Sequence, residues 1–139
     1  MPLPQTTSPE EILRDAHTVA VLGMKAEPGE PAHDIPTFLA EQGYRIIPVN
    51  PKLAEEGYPG AVASLADLDQ APDVVEVFRR PEAIPQHLDE LLALRPGAVW
   101  FQEGIRNDAV AEQLEQAGIP VVQDRCMGET LRAMQQAGD

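Results

Sequence analysis

Two short stretches of this chain combine residue types that suit a phosphorylated ligand. Thr18-Val-Ala-Val-Leu-Gly-Met-Lys25 is an apolar run that ends at a glycine and a lysine. Tyr44-Arg-Ile-Ile-Pro-Val-Asn-Pro-Lys52 is a second apolar run, closed by Asn50, Pro51 and Lys52. A polar loop and a helix-like segment, Asp34–Gln42, lie between them. Strand, glycine turn, helix and strand make a βαβ unit, which binds nucleotides at the carboxyl ends of its strands. Gly23 lets the backbone come close to a pyrophosphate, and the helix N-terminus beyond it offers amide donors and the positive end of a dipole. His33, beside that N-terminus, either adds a donor or faces solvent in a loop. A NAD-binding unit carries Asp or Glu at the end of its second strand, to hold a ribose hydroxyl. Lys52 at this corner suits a phosphorylated ribose instead. The first loop, Gly23-Met-Lys-Ala-Glu-Pro-Gly29, is neither GxGxxG nor a P-loop.

The remaining cations fall into the same pattern. Of ten Lys and Arg residues, Lys25, Lys52, Arg79, Arg80, Arg106 and Arg125 each follow a predicted strand end. On a chain with a formal net charge of −13 and a pI of about 4.5, this concentrates positive charge at one edge of a sheet. An anionic ligand with several phosphates is the simple inference, against the plainer one that exposed loops carry cations anyway. The acidity argues against nucleic acid and anionic membrane as partners.

The elements that must position these residues alternate to the end of the chain. Strands are predicted at Val19–Leu22, Arg45–Val49, Val74–Phe78, Ala98–Gln102 and Pro120–Gln123. All are short, continuous and rich in Val and Ile, as strands buried on both faces are. Ser8-Pro9-Glu10-Glu11 opens a first helix with a cap, a proline and a capping-box glutamate. Asp34 caps a second helix, which Gly43 ends. Ser64–Asp67 marks a short helix, Pro81–Leu94 a longer one. Asn107 caps another that stops at Gly118, and the last runs from about Gly128 to Gln136. The sum is a single domain spanning 1–139, an α/β Rossmann-like three-layer fold with a five-stranded parallel sheet. The expected strand order is 3-2-1-4-5, with its switch point between strands 1 and 4.

No stretch approaches the length of a membrane span, and the N-terminus lacks the regions of a signal peptide. Cys126 is the sole cysteine, so no internal disulfide forms, and a cytoplasmic location is expected. Abundant proline and only two asparagines lean toward a heat-adapted source, although base composition gives the same bias.

These features together resemble the CoA-binding domain family, relatives of the N-terminal domain of the succinyl-CoA synthetase α subunit, and most of all small stand-alone bacterial CoA-binding proteins. The resemblance runs from about Val19 to Met127. It rests on Val19-Ala-Val-Leu-Gly23, Gly43-Tyr-Arg-Ile-Ile-Pro-Val-Asn-Pro-Lys52, Val77-Phe-Arg-Arg-Pro-Glu82, Val99-Trp-Phe-Gln-Glu-Gly-Ile105 and Val122-Gln-Asp-Arg-Cys126. It implies that the loop after Gly23 (Met24, Lys25), the Asn50-Pro51-Lys52 corner and the Phe78-Arg79-Arg80 turn surround the adenosine diphosphate part of coenzyme A, with Gln102 near the switch point. The family's first loop commonly continues Gly-Ala-Ser. Here Gly23-Met24-Lys25 loses a hydroxyl and gains a cation.

The expected function is non-catalytic binding of CoA or an acyl-CoA. No catalytic constellation is apparent and no metal ligand set is expected. His17 and His87 are not placed by the sequence at the carboxyl edge, and Trp100 and Phe101 read as core. Cys126 is either a structural cysteine or a thiol able to exchange disulfides with CoA. A NADP(H)-binding protein and a CoA-sensing regulatory subunit acting on a protein partner remain as alternatives.

Overall fold

The computed structural model describes residues 7–138. The stretch read for an export signal lies mostly outside the described residues. Five parallel strands form one sheet: β1 (Thr18–Leu22), β2 (Arg45–Val49), β3 (Val74–Val77), β4 (Ala98–Phe101) and β5 (Val121–Val122). The helices are α1 (Pro9–Asp15), α2 (Pro31–Glu41), α3 (Pro51–Glu55), α4 (Leu88–Leu94), α5 (Asp108–Gln116) and α6 (Met127–Gln136), with 3-10 turns at Leu65–Asp67 and Pro81–His87. The α/β class and the all-parallel sheet are as the sequence implies.

The strand order is not the expected one. It reads β2-β1-β3-β4-β5, so the switch point lies between β1 and β3. Chain direction explains the difference. After β2 the polypeptide makes only the short α3 and a 3-10 turn before it crosses back over β1 and lays β3 on β1's other side. Val21 pairs with Pro48 on one side and with Glu76 on the other. As a result the ends of β1, β2 and β3 sit side by side, with β3 against the glycine turn.

Each face of the sheet carries its own apolar cluster. Val19, Val21, Val74, Ala98 and Trp100 pack with Leu13, Leu39, Met127 and Met134 from α1, α2 and α6. Ala20, Leu22, Val75, Val77, Val99 and Phe101 pack with Ile84, Leu91, Val110 and Leu114 from the opposite layer. Trp100 and Phe101 are core residues, as expected, and the Trp100 indole donates to the Arg125 carbonyl at 2.9 Å. One residue breaks the pattern. Glu76, on the same face of β3 as Val74, is 0 % exposed, and neither carboxyl oxygen has a hydrogen-bond partner. Burial pushes its acid up to about 8, because a carboxylate there would lose its hydration and gain nothing in return.

The helix ends largely follow the expected signals. Ser8 and Glu11 close a capping box on α1, and the Asn107 side chain accepts from the Val110 amide at 3.1 Å. Two segments differ. α2 starts at Pro31 rather than Asp34, since proline at the first helical position wastes no amide. Asp34 sits within its first turn and accepts from the Gly29 amide at 3.1 Å. The single helix expected over Pro81–Leu94 is a 3-10 turn through His87, followed by α4.

Candidate nucleotide-binding site

At the carboxyl edge the turn after β1 is built around Gly23. Its φ is +90°, in the region that glycine alone enters freely, and its amide donates to the Val49 carbonyl at 2.9 Å. Asn50 fixes the neighbouring corner. Its side-chain oxygen caps α3 by accepting from Lys52 N at 2.8 Å, and its side-chain nitrogen donates to the Met24 carbonyl at 2.8 Å. Both the oxygen and the nitrogen of the amide bond backbone, so Asn50 joins the β1 and β2 loops and keeps one N–H unspent.

Two of the cavities along this edge share Arg79. The larger, of about 670 Å³, is lined by Lys25, Ile35, Phe78, Arg79, Arg80, Gln102, Glu103, Cys126 and Glu129, among others. The smaller, of about 240 Å³, is lined by Leu22, Gly23, Val49, Asn50, Pro51, Ser64, Arg79, Gln86, His87 and Glu90, among others. Arg79 belongs to both. Cavities of roughly 300–1,000 Å³ are the size that takes drug-like ligands, and the larger one falls in that range.

The residues read from the sequence divide as follows. Lys25, Phe78, Arg79, Arg80 and Gln102 line the larger cavity, and Gly23, Asn50, Pro51 and Arg79 the smaller one. Met24, Lys52 and His33 line neither. Met24 is 4 % exposed and packs into the core, because an apolar side chain after a strand end turns under the sheet edge. Lys52 is exposed on α3. His33 is not a loop residue. It is half-buried in the first turn of α2, with Nδ1 3.0 Å from Asp34 Oδ1. That contact, and then the Gly29 amide, holds the Asp34 acid below its ordinary value.

The cations differ in how free they are. Lys25 pairs with Glu30, Arg80 with Glu82, Arg106 with Asp108 and Arg125 with Glu10. Among the described residues Lys52 and Arg79 make no ion pair, and Arg79 is half-buried where the two cavities meet.

The sequence reading left His87 away from this edge, yet it lines the smaller cavity with Glu90. The reason is local. The 3-10 turn Pro81–His87 carries the chain straight back over the β3 end, and α4 then starts at the cavity wall. Burial, and then the Arg79 guanidinium, hold the His87 ring below its ordinary value, against an upward pull from Glu90.

A model of the CoA binding domain matches residues 17–132. The chain belongs to this family. It is 34% identical over 124 residues to the uncharacterized protein YneT of Bacillus subtilis (strain 168), covering 89% of this chain and 92% of that protein. A solved structure of the cell-free ID.343 protein from Thermus thermophilus is 48% identical, superposes with a TM-score of 0.86, and covers 91% of this chain and 98% of its own. A hypothetical protein from Pyrococcus horikoshii OT3 is 26% identical with a TM-score of 0.78, covering 90% of each chain.

The family fold brings the β4 end into the same edge. Gln102 is 4 % exposed, and its side-chain oxygen accepts from the Met127 amide at 3.3 Å. Asp124, with φ +57°, accepts from the Gly104 amide at 2.7 Å and locks the β4 and β5 loops together. One group of potential metal ligands occurs among the described residues: Glu103, Cys126 and Glu129, with ligand atoms within 4.8 Å of one another. Both glutamates are exposed. No helix among the described residues is long and apolar enough to cross a membrane.

Proposed function

We propose that this chain binds coenzyme A or an acyl-CoA along the carboxyl edge of its sheet and does not turn it over. Arg79 carries the reading. It is a guanidinium with no carboxylate partner among the described residues, half-buried at the junction of two cavities, on a chain with more than twice as many acids as bases. A planar fork of donors in that setting suits phosphate oxygens. Lys25 and Arg80 also line the larger cavity, each already paired with a glutamate, and membership of a CoA binding domain family supports the choice of ligand. The binding-only part of the reading is supported by the side chains. Among the described residues no hydroxyl or thiol hydrogen-bonds a histidine ring, and the His33 and His87 rings meet Asp34 and Gln86 instead. A nucleophile–base pair needs that contact.

Native mass spectrometry of the gently purified protein, followed by a thermal scan, tests the reading. The expected mass is that of CoA or an acyl-CoA, and added CoA raises the melting temperature. A ligand present at a hundred times its Kd adds about 2.7 kcal/mol to the folded state. Dephospho-CoA is expected to act more weakly and NAD to do little. A co-purified NADP, or equal shifts from NAD and CoA, overturns the assignment.

A further inference from the structure

We infer that Glu76 and Gln102 form a proton-operated switch beneath the larger cavity, in which Gln102 holds the N-terminus of α6 while Glu76 is protonated and turns to the carboxylate when the proton leaves. Two incompletely bonded groups lie side by side. Glu76 is 0 % exposed, and neither carboxyl oxygen has a hydrogen-bond partner. Gln102 is 4 % exposed; its side-chain oxygen accepts from the Met127 amide, and its side-chain nitrogen makes no hydrogen bond among the described residues. The register brings the two together. Glu76 is level with Trp100, and the ladder runs on past the end of β4 to Gln102, whose backbone amide donates to the Val77 carbonyl at 3.3 Å. Side chains alternate along a strand, so Gln102 shares the face of Trp100 and Glu76. The bond to Met127 agrees, since Met127 packs with Val74 and Trp100 on that face. Strands roughly 4.8 Å apart, rising roughly 3.3 Å per residue, put the two Cα atoms about 8 Å apart, a gap that two side chains of this length span.

No other group on this face answers the charge. Val21 of β1 and Trp100 of β4 flank Glu76, and the Trp100 N–H is spent on the Arg125 carbonyl. Leu13 of α1, Leu39 of α2 and Met127 of α6 pack over the face. The titratable groups of those helices are engaged elsewhere: Glu10 pairs with Arg125 and Asp34 with His33, Cys126 and Glu129 line the larger cavity, and Glu11, Arg14, Asp15, Glu41 and Arg132 are exposed. The Tyr44 hydroxyl donates to the Leu13 carbonyl. As the side chains stand, an ionised Glu76 is therefore bare, which costs far more than the bond Gln102 now makes. That bond, at 3.3 Å, is longer than the ordinary range. Rotation of the Gln102 side chain gives its N–H to the carboxylate and takes its oxygen from Met127. Met127 opens α6 between Cys126 and Glu129, which both line the larger cavity, so the switch loosens that wall.

NMR of the wild type, Glu76→Gln and Gln102→Met, in a pH series that brackets the value of about 8 that burial gives Glu76, tests this without any ligand, so the outcome is separate from the CoA reading. In the wild type the Glu76 carboxyl carbon, the Gln102 side-chain amide and the Met127 backbone amide are expected to shift with one midpoint. The Met127 amide is expected to lose protection against hydrogen exchange above it. Glu76→Gln is neutral at every pH and is expected to flatten the Gln102 and Met127 signals. Gln102→Met fills similar volume and cannot donate, so it is expected to raise the Glu76 midpoint by about one pH unit or more. A Glu76 carboxyl that titrates while Gln102 and Met127 stay still, or that does not titrate before the fold melts, overturns the switch. So do Gln102 and Met127 signals that titrate unchanged in Glu76→Gln. If neither variant folds, the three wild-type midpoints decide the matter alone.

Discussion

Gly23 and Phe78 meet backbone to backbone: a Cβ built on Gly23 would stand 2.6 Å from the Phe78 carbonyl oxygen and 3.2 Å from the Cδ of Arg79. The β1 turn and the β3 end are thus pressed together at the point where the two cavities join. The contact exists because β3 lies directly on β1.

Gly23→Ala therefore combines a backbone clash with a φ of +90° that alanine enters only at a cost. Strain of this kind is worth about 1–3 kcal/mol. The expected outcome is a lower urea midpoint and, in protein kept folded by cooling, weaker CoA binding, because Arg79 must move away. Wild-type stability in this variant would mean that the β1 and β3 loops part easily, and the shared wall of the cavities would lose its meaning.

Arg79→Ala is expected to weaken CoA binding by about one to two decades, as a charge-assisted hydrogen bond worth roughly 1.5–3 kcal/mol is removed. Lys52→Ala gives a discriminating comparison. Lys52 makes no ion pair among the described residues but lines neither cavity, so it matters only if the ligand reaches beyond their walls onto α3. Calorimetry on both variants separates a phosphate held at the junction from one held at the α3 corner. Wild-type affinity in both places the phosphate site elsewhere.

Asn50→Ala is expected to cost about 1–2 kcal/mol of stability through the lost cap on α3, besides the lost bond to the Met24 carbonyl. Asn50→Asp keeps the cap acceptor but sets a carboxylate against that carbonyl, 2.8 Å from the present nitrogen. It is expected to retain more of α3's helicity yet bind CoA less well than Asn50→Ala. Equal affinities in the two variants would show that the corner's charge does not reach the ligand.

The strands were readable because each is a continuous Val- and Ile-rich run. Their order was not, because every such run looks alike to hydropathy and the deciding segment between β2 and β3 contains only short turns. The glycine turn, the Asn50 corner and the free Arg79 were visible as residue types at strand ends. Met24 was misplaced because position in a loop does not say which way a side chain turns. His87 and Glu90 were missed since a continuous helix over Pro81–Leu94 hides the 3-10 stretch that aims them at the edge. Glu76 escaped notice inside Val74-Val-Glu-Val-Phe78, whose apolar neighbours dominate the pattern.

Cys126→Ser is expected to bind CoA as the wild type does under reducing conditions. Cys126 is half-buried and lines the larger cavity. With CoA disulfide present, thiol–disulfide exchange can join its sulfur to one CoA and release the other as free thiol. Only the wild type can gain a CoA mass in this way, and reduction should remove it. Steady hydrolysis of acetyl-CoA by the pure protein, abolished in Cys126→Ser, would make this cysteine a nucleophile and end the binding-only reading.

Glu76 makes stability depend on pH in a direction opposite to that of a paired surface carboxylate. In the unfolded chain its acid titrates near 4.5; in the fold burial raises it to about 8. Below pH 4.5 both states hold the proton and the residue's contribution is fully present. Between these values the unfolded chain binds fewer protons, so stability attributable to Glu76 falls as pH rises, by on the order of 5 kcal/mol in all. Above about pH 8 the fold must carry a bare carboxylate between Val21 and Trp100. Glu76→Met fills similar volume without a titratable group. It is expected to raise the melting temperature at pH 8 and to flatten the decline between pH 5 and 8, with little change at pH 4.5. Parallel stability curves for the two proteins across that range would show that Glu76 finds a donor in solution and does not titrate as a lone buried acid.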